Sequence, residues 1–287
     1  MKFTVLCFVM LLALPAVAAS PAPGDVLKDA PGTDWKTLDS ANLLVMRLPS
    51  GPVVIELAPA FAPTAIANIT DLVRAHYFDG SSIKRVQDNF VVQWAQDEAR
   101  EKAAPALKGQ AEFEHPLSGT FIALSDPDTY ARQTGFEGDF PAATDGKREW
   151  LTHCYGMVAV ARAAAPDSGT GTELYAVIGQ APRQLDRNFT LVGRVIQGIE
   201  RLSSLPRGTG PGGVYETPQE HTPIASIRFA SDLDPREQPK FEVLKTFSAT
   251  FKAYIEARRN QAGMFVHPAG HINVCNIQLP VRAVLPR

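Results

Sequence analysis

Residues 84–93, KRVQDNFVVQ, place an arginine and a glutamine, Arg85 and Gln93, on two short β-like runs among apolar neighbours. Such a pair reads in two ways: a solvated charge with an edge amide, or two polar groups facing an apolar pocket. Other candidate chemistries are thinner. His267 and His271 stand four apart, but Pro268 and Gly270 between them spoil a helical metal pair, and no carboxylate accompanies them. Ser168 in PDSGTG and Cys154 in THCYG lack the elbow context of a nucleophile, and no ordered Ser, Asp and His set stands out. DSGTGT has no lysine after its glycines and reads as a flexible loop rather than a phosphate cradle. The sequons at Asn68 and Asn188 fall inside a predicted helix and beside a predicted strand, and carry little weight. Neither a metal nor a cofactor is expected.

The elements that must position Arg85 and Gln93 are readable as short runs. LLVMRL at Leu43–Leu48 and PVVIEL at 52–57 flank Ser50 and Gly51, which supply the turn chemistry of a hairpin. In APTAIANITDLVRAHYF, Ile66, Ile69, Leu72, Val73 and His76 recur at helical spacing and Pro63 suits a first turn, so a helix follows. Further β-rich runs lie at 82–86, 90–94, 156–161, 173–178, 190–195 and 223–230. With the hairpin these make eight, which predicts a mainly β fold, a closed or nearly closed antiparallel barrel. TFIAL at 120–124 is a candidate ninth, inside a segment at about 96–150 whose mixed composition assigns no fold. From Asp234 the pattern changes. Asp234, Pro235 and Glu237 resemble a capped helix start, and Phe241, Leu244, Phe247, Phe251, Tyr254 and Ile255 form one apolar stripe, predicting a C-terminal helix docked on the barrel.

A chain of 287 residues, 45% hydrophobic and 20% charged, can bury the core of one large domain. Lys plus Arg total 28 against 30 Asp plus Glu, a formal charge of -2, so no basic footprint points to nucleic acid or to an anionic membrane. Residues 1–19 start with Lys2, run apolar to Leu14 and exit on small residues, the layout of a secretory signal peptide cleaved near Ala18 or Ala19. An exported, periplasmic protein without membrane attachment is expected after cleavage, with residues 20–40 as a leader. Removal of the signal leaves Cys154 and Cys275 in an oxidising compartment, either bridged or as two buried thiols, since spacing alone does not choose.

VVIEL, APTAIANITDLVRAHYFDGSSIKRVQDNFVVQ, GMVAVARA, GTGTELYAVIG and LDRNFTLVGRVIQGIE resemble, in sequence and order, the cyclophilin family of peptidyl-prolyl cis-trans isomerases. The resemblance implies an eight-stranded cyclophilin-like barrel capped by helices over 41–232, with an insertion at about 96–150 and a C-terminal helical extension over 233–287. It also implies an external groove that takes a proline side chain. Arg85, in IKRV, matches the catalytic arginine, Phe90 the aromatic floor of the proline pocket and Gln93 the neighbouring glutamine, while Val91 stands where Met is common. Val160 takes the place of a pocket methionine, Ala161 keeps the small groove residue, Arg162 replaces an asparagine that contacts the peptide backbone, and Glu173 replaces a glutamine. Tyr175 stands for a second pocket phenylalanine and Leu185 keeps the pocket leucine. Gln184 occupies the place of a tryptophan and Phe189 that of a histidine.

These residue types suit isomerisation of X-Pro bonds. Rotation breaks amide resonance and leaves on the prolyl nitrogen a lone pair that the planar amide lacks. A guanidinium aimed at that nitrogen stabilises the twisted form alone. Phe90, Tyr175, Leu185 and Val160 would hold the pyrrolidine in a dry pocket, and Gln93 would orient the guanidinium or bind the substrate carbonyl. Taken singly, the apolar residues read as barrel core and Arg85 as a solvated charge; only their ordered combination supports a site. Arg162 and Glu173, of opposite sign, either pair with each other or select charged residues around the proline. The expected partner is an unfolded or proline-containing polypeptide and the expected activity an isomerisation that assists folding. The alternative is a catalytically weak module that binds proline peptides or acts as a chaperone.

Overall fold

The computed structural model describes residues 21–102, 104, 107–261 and 265–284, so the signal peptide read in residues 1–19 lies outside the described residues. The chain is mainly β. Its main sheet is antiparallel throughout, in the order Thr222–Pro223, Ser82–Val86, Val91–Ala95, Leu174–Val177, Met157–Val160, Leu191–Gln197, Gly51–Leu57, Leu43–Leu48 and Ser226–Phe229. The two outermost strands are parted in sequence by Ile224 and Ala225 alone, so the sheet curls until both its edges meet one segment. The run expected at 223–230 is therefore two strands rather than one. Ile224 N bonds to Ser81 O on one edge and Ala225 N to Arg47 O on the other, which leaves neither edge as an open ladder.

The predicted hairpin pairs from Leu48 with Gly51 to Leu43 with Glu56. Gly51 has φ +119°, and a β-carbon there would lie 2.7 Å from Arg201 Nε, whose guanidinium reaches over to Ser50 O. Inside the curl, Ile83, Val86, Val92, Trp94, Val158 and Ala176 pack with Ile66, Ile69, Leu72 and Val73 of the helix Pro63–Arg74. Pro63 opens that helix where no N–H is needed, and Glu112 caps it by accepting Thr64 N and Ala65 N at 2.8 Å each. His76, expected on the apolar stripe, lies beyond the helix end at φ +56° and is exposed.

The outer face of the sheet, carrying Val91, Ala159, Tyr175 and Val177, packs in a second cluster with Phe136, Leu151, Phe251 and Val274. Part of this cover comes from the segment that composition left unassigned. It forms a five-stranded sheet ordered His115–Pro116, Arg148–Leu151, Phe140–Thr144, Gln133–Glu137 and Ile122–Ala123. Of TFIAL only Ile122 and Ala123 are strand, and they join this sheet rather than the main one.

The segment from Asp234 departs from its expected single helix. Asp234 instead caps a turn, its Oδ1 accepting Arg236 N at 2.9 Å. Phe241–Leu244 is a strand held between Trp35–Thr37 and Val281–Ala283, and the helix is confined to Ala249–Arg259. Phe241 and Val243 are buried on either side of half-buried Glu242, a period of two that remote partners on both edges turn into pairing. Ser248 then starts the helix by accepting Phe251 N at 3.0 Å, and Phe247, left on the connecting turn, is 77% exposed. Leader and extension are thus one three-stranded layer. Cys275 of that layer is bonded to Cys154 of the segment leading into Met157–Val160, across 121 residues of sequence.

Charges also join the layers. Asp139, on the turn between the Gln133–Glu137 and Phe140–Thr144 strands, pairs with Lys36 of the leader at 2.5 Å and lies beside Glu56 of the main sheet, which pairs within that sheet with Arg194 at 2.8 Å. Burial, with Asp139 beside it and Arg194 opposing, pushes the Glu56 carboxyl up to about 7.

Candidate active site

A β-bulge aims Arg85. Ile83 pairs with Trp94 and both face the interior; one residue is then skipped, and Arg85 pairs with Gln93 and Val86 with Val92. Strict alternation would turn Arg85 inward with Ile83 and send Val86 out. The extra residue, Lys84, reverses the parity, so Val86 fills the interior and Arg85 faces the outer surface. Gln93 is in register with Tyr175, and Tyr175 with Ala159, so Arg85, Gln93, Tyr175 and Ala159 form one outward rung across neighbouring strands.

Arg85 is held by three acceptors. Its Nε donates to Gly212 O at 2.7 Å, Nη1 to Gln93 Oε1 at 3.1 Å, and Nη2 to Gln87 Oε1. The guanidinium carbon lies 5.7 Å from the centroid of the Phe90 ring. Asn89, at φ +51°, turns the chain between the two strands and anchors Gln180 N with its side chain, so Phe90 is presented from a fixed turn. Burial lowers the Arg85 pKa and the Glu173 carboxylate opposes it, but a guanidinium remains charged.

Gln93 is oriented from both ends. Its Oε1 accepts from Arg85 Nη1, and its Nε2 donates to Glu173 Oε1 at 2.7 Å. Burial raises the Glu173 carboxyl above the ordinary range, with the Gln93 hydrogen bond opposing that shift. Glu173 therefore takes up its proton at a higher pH than a free glutamate and, as pH falls, stops being a charged acceptor for Gln93. Measured from about pH 4 to pH 8, kcat/KM on a prolyl peptide is expected to fall roughly threefold on the acid side in the wild type and to stay flat in Glu173→Gln. An identical acid limb in both proteins would assign the titration elsewhere.

The remaining expected residues divide. Phe90, Ala161 and Phe189 pack partly buried against the outer cluster that contains Val91 and Tyr175. The Tyr175 and Phe189 rings meet edge to face at 5.9 Å. Leu185 ends the short 3-10 turn Arg183–Leu185, and Gln184 on that turn is exposed. Val160 does not belong to the groove. It is 2% exposed and packs inside the curl with Val92 and Trp94, because its neighbours Ala159 and Ala161 take the outward positions of the pleat. Arg162 and Glu173 do not pair either. Arg162 lies over Phe189 at 4.7 Å and Phe113 at 5.7 Å and donates to Asn188 O and Ala163 O, whereas Glu173 holds Gln93.

Sequence reasoning missed His153. It is fully buried, with Nε2 3.1 Å from the Tyr175 hydroxyl and Nδ1 3.0 Å from Asp186 Oδ1. In THCYG the cysteine drew attention and the histidine before it, a polar ring in an apolar stretch, was the unused signal. Burial holds the Tyr175 phenol far above its ordinary range, so the hydroxyl keeps its proton. Among the described residues no group of three or more His, Cys, Asp or Glu is placed to hold a metal ion, and no helix is long and apolar enough to cross a membrane.

The fold aligns with the crystal structure of the cyclophilin AquaCyp293 from Hirschia baltica at a TM-score of 0.72 and 25% identity, covering 92% of this chain and 98% of that one. A curled antiparallel sheet of cyclophilin type is therefore the class of this protein. The family described as Cyclophilin type peptidyl-prolyl cis-trans isomerase/CLD matches residues 43–229, and the chain belongs to that family. It is 25% identical over 187 residues to a probable peptidyl-prolyl cis-trans isomerase of Brucella suis biovar 1 (strain 1330), covering 63% of this chain and 81% of that protein. It is also 25% identical over 231 residues to a peptidyl-prolyl cis-trans isomerase of Arabidopsis thaliana, covering 79% of this chain and 87% of that protein.

Proposed function

We propose that this cyclophilin-type isomerase turns X-Pro bonds of exported polypeptides in the groove beside Arg85, and so assists their folding. The observation that carries the reading is the rung of Arg85, Gln93 and Tyr175 with Phe90 beside it. Phe90, Val91, Tyr175 and Leu185 grip the pyrrolidine ring, which fixes one side of the bond while the acyl side rotates. Three of the five guanidinium N–H groups are committed to Gly212, Gln87 and Gln93, which leaves two to meet the lone pair that appears on the prolyl nitrogen. Because that lone pair exists only in the twisted amide, the interaction lowers the barrier without tightening ground-state binding. Ala161, Arg162, Glu173 and Phe189 border the groove and contact the peptide flanking the proline.

The catalytic domain spans about 41–232, with 96–150 as an insertion and 20–40 and 233–287 as the leader and extension; of these last two, the strands Trp35–Thr37, Phe241–Leu244 and Val281–Ala283 pair in one sheet. A protease-coupled assay on a prolyl peptide, wild type against Arg85→Ala, tests the reading. A second reading draws on Arg162, whose stacking on Phe189 changes the rim: a groove that binds proline segments with little catalysis. Equal rates with and without the protein, together with measurable peptide binding, would establish it. Export rests on residues 1–19. Protein made in a Gram-negative host is expected in the periplasm beginning at Ala19 or Ser20, and an intact Met1 start in cytoplasmic protein would overturn that expectation.

A further inference from the structure

We infer that His153 is a positioning residue for the proline pocket, fixing the hydroxyl of Tyr175 and with it the placement of the Tyr175 ring relative to the turn that carries Leu185. The inference rests on the reading that proline enters the groove beside Arg85 and Phe90. A phenylalanine at position 175 would need no partner. A tyrosine that is 5% exposed brings a hydroxyl whose burial is costly unless bonded, and His153 Nε2 supplies the acceptor at 3.1 Å.

The histidine is itself fixed. Asp186 Oδ1 accepts both His153 N at 2.8 Å and the ring Nδ1 at 3.0 Å, so in the neutral imidazole Nδ1 carries the proton and Nε2 is free to accept from Tyr175. The other Asp186 oxygen takes Arg183 Nε, and Arg183, 3% exposed, forks its two terminal nitrogens onto Asp128 at 3.0 and 3.1 Å. Arg183 and Leu185 belong to the same turn. The line of bonds that starts at the Tyr175 hydroxyl therefore ends in the turn that carries Leu185. On the far side, Cys154, next to His153, is bonded to Cys275, and Asn273 Nδ2 lies 3.4 Å from Asp128 Oδ2. His153 bonds to none of the groups that hold Arg85; besides Tyr175 its ring meets that of Phe189 edge to face at 6.5 Å, so its effect reaches the substrate through ring placement.

A double-mutant cycle in the full chain separates positioning from plain structural support. His153→Leu is expected to raise KM for a prolyl peptide about tenfold with kcat within about twofold, the size of effect that an unsatisfied buried hydroxyl produces. In a Tyr175→Phe background the same change is expected to alter KM less than about twofold, since no hydroxyl then needs an acceptor. Equal KM effects in the two backgrounds would show that His153 acts only by supporting Asp186 and Arg183, and would overturn the proposal. A measurement that needs no variant covers a failure of His153→Leu to fold. In protein labelled with 15N-histidine, the His153 ring resonances are expected to shift with the same saturation curve as binding of the prolyl peptide, and ring resonances unmoved at saturation would overturn the proposal. Loss of the groove reading itself would look different, because Arg85→Ala would then leave turnover intact.

Discussion

Arg85→Ala is expected to lower kcat/KM on a prolyl peptide by about 100- to 1000-fold, nearly all of it in kcat. The guanidinium is prepaid in position by Gly212, Gln87 and Gln93, so no reorganisation is needed when the amide twists. Its partner atom, the prolyl lone pair, exists in the transition state alone, which is why KM should change little. The side chain is half-buried on the outer face, outside the interior packing, so the urea midpoint should stay close to that of the wild type. Arg85→Lys keeps the charge but loses the fork that binds three acceptors at once, and is expected to restore little of the rate. Steady-state kinetics on both variants decide the matter: a loss below about fivefold in Arg85→Ala would remove the residue from the chemistry.

The second large effect concerns stability. Replacing both Cys154 and Cys275 by alanine, or reducing the wild type, is expected to cost about 3–5 kcal/mol of unfolding free energy, measured by urea denaturation. The bond closes a loop of 121 residues, which includes the Met157–Val160, Leu174–Val177, Leu191–Gln197 and Phe241–Leu244 strands and the helix Ala249–Arg259. Opening it restores to the unfolded chain the freedom of a very long loop, the regime in which a crosslink has most to remove. It also frees the tail that places Val274 and Leu279 in the outer cluster and Val281–Ala283 at the edge of the three-stranded sheet. Coincident urea curves for oxidised and reduced protein would show that packing alone holds the tail in place.

Much of the fold could be read from local pattern. The hairpin at 43–57 was readable because Ser50 and Gly51 turn the chain between two apolar runs, and the helix Pro63–Arg74 because a proline start precedes residues at helical spacing. The same local logic failed at Phe241–Leu244. Its spacing also fits a helix stripe, and only the Trp35–Thr37 and Val281–Ala283 strands, distant in sequence, make it a strand. The segment between Val91–Ala95 and Met157–Val160 stayed opaque because its strands are short and pair mostly with one another.

The chemical inventory of the candidate site is legible in the chain itself: a guanidinium, an amide and aromatic rings on two adjoining runs, in an order that resembles the cyclophilins. Which face each residue occupies was decided only by the tertiary structure. Strand parity can be counted from sequence until one residue is added or lost against the partner strand. At Lys84 the added residue brings Arg85 out beside Gln93, whereas along Met157–Val160 the pairing with Leu174–Val177 keeps its register and the alternation sends Val160, expected in the pocket, to the interior. His153 entered the site for the same reason. Its partners Tyr175 and Asp186 lie far along the chain, and nothing in its local pattern names them.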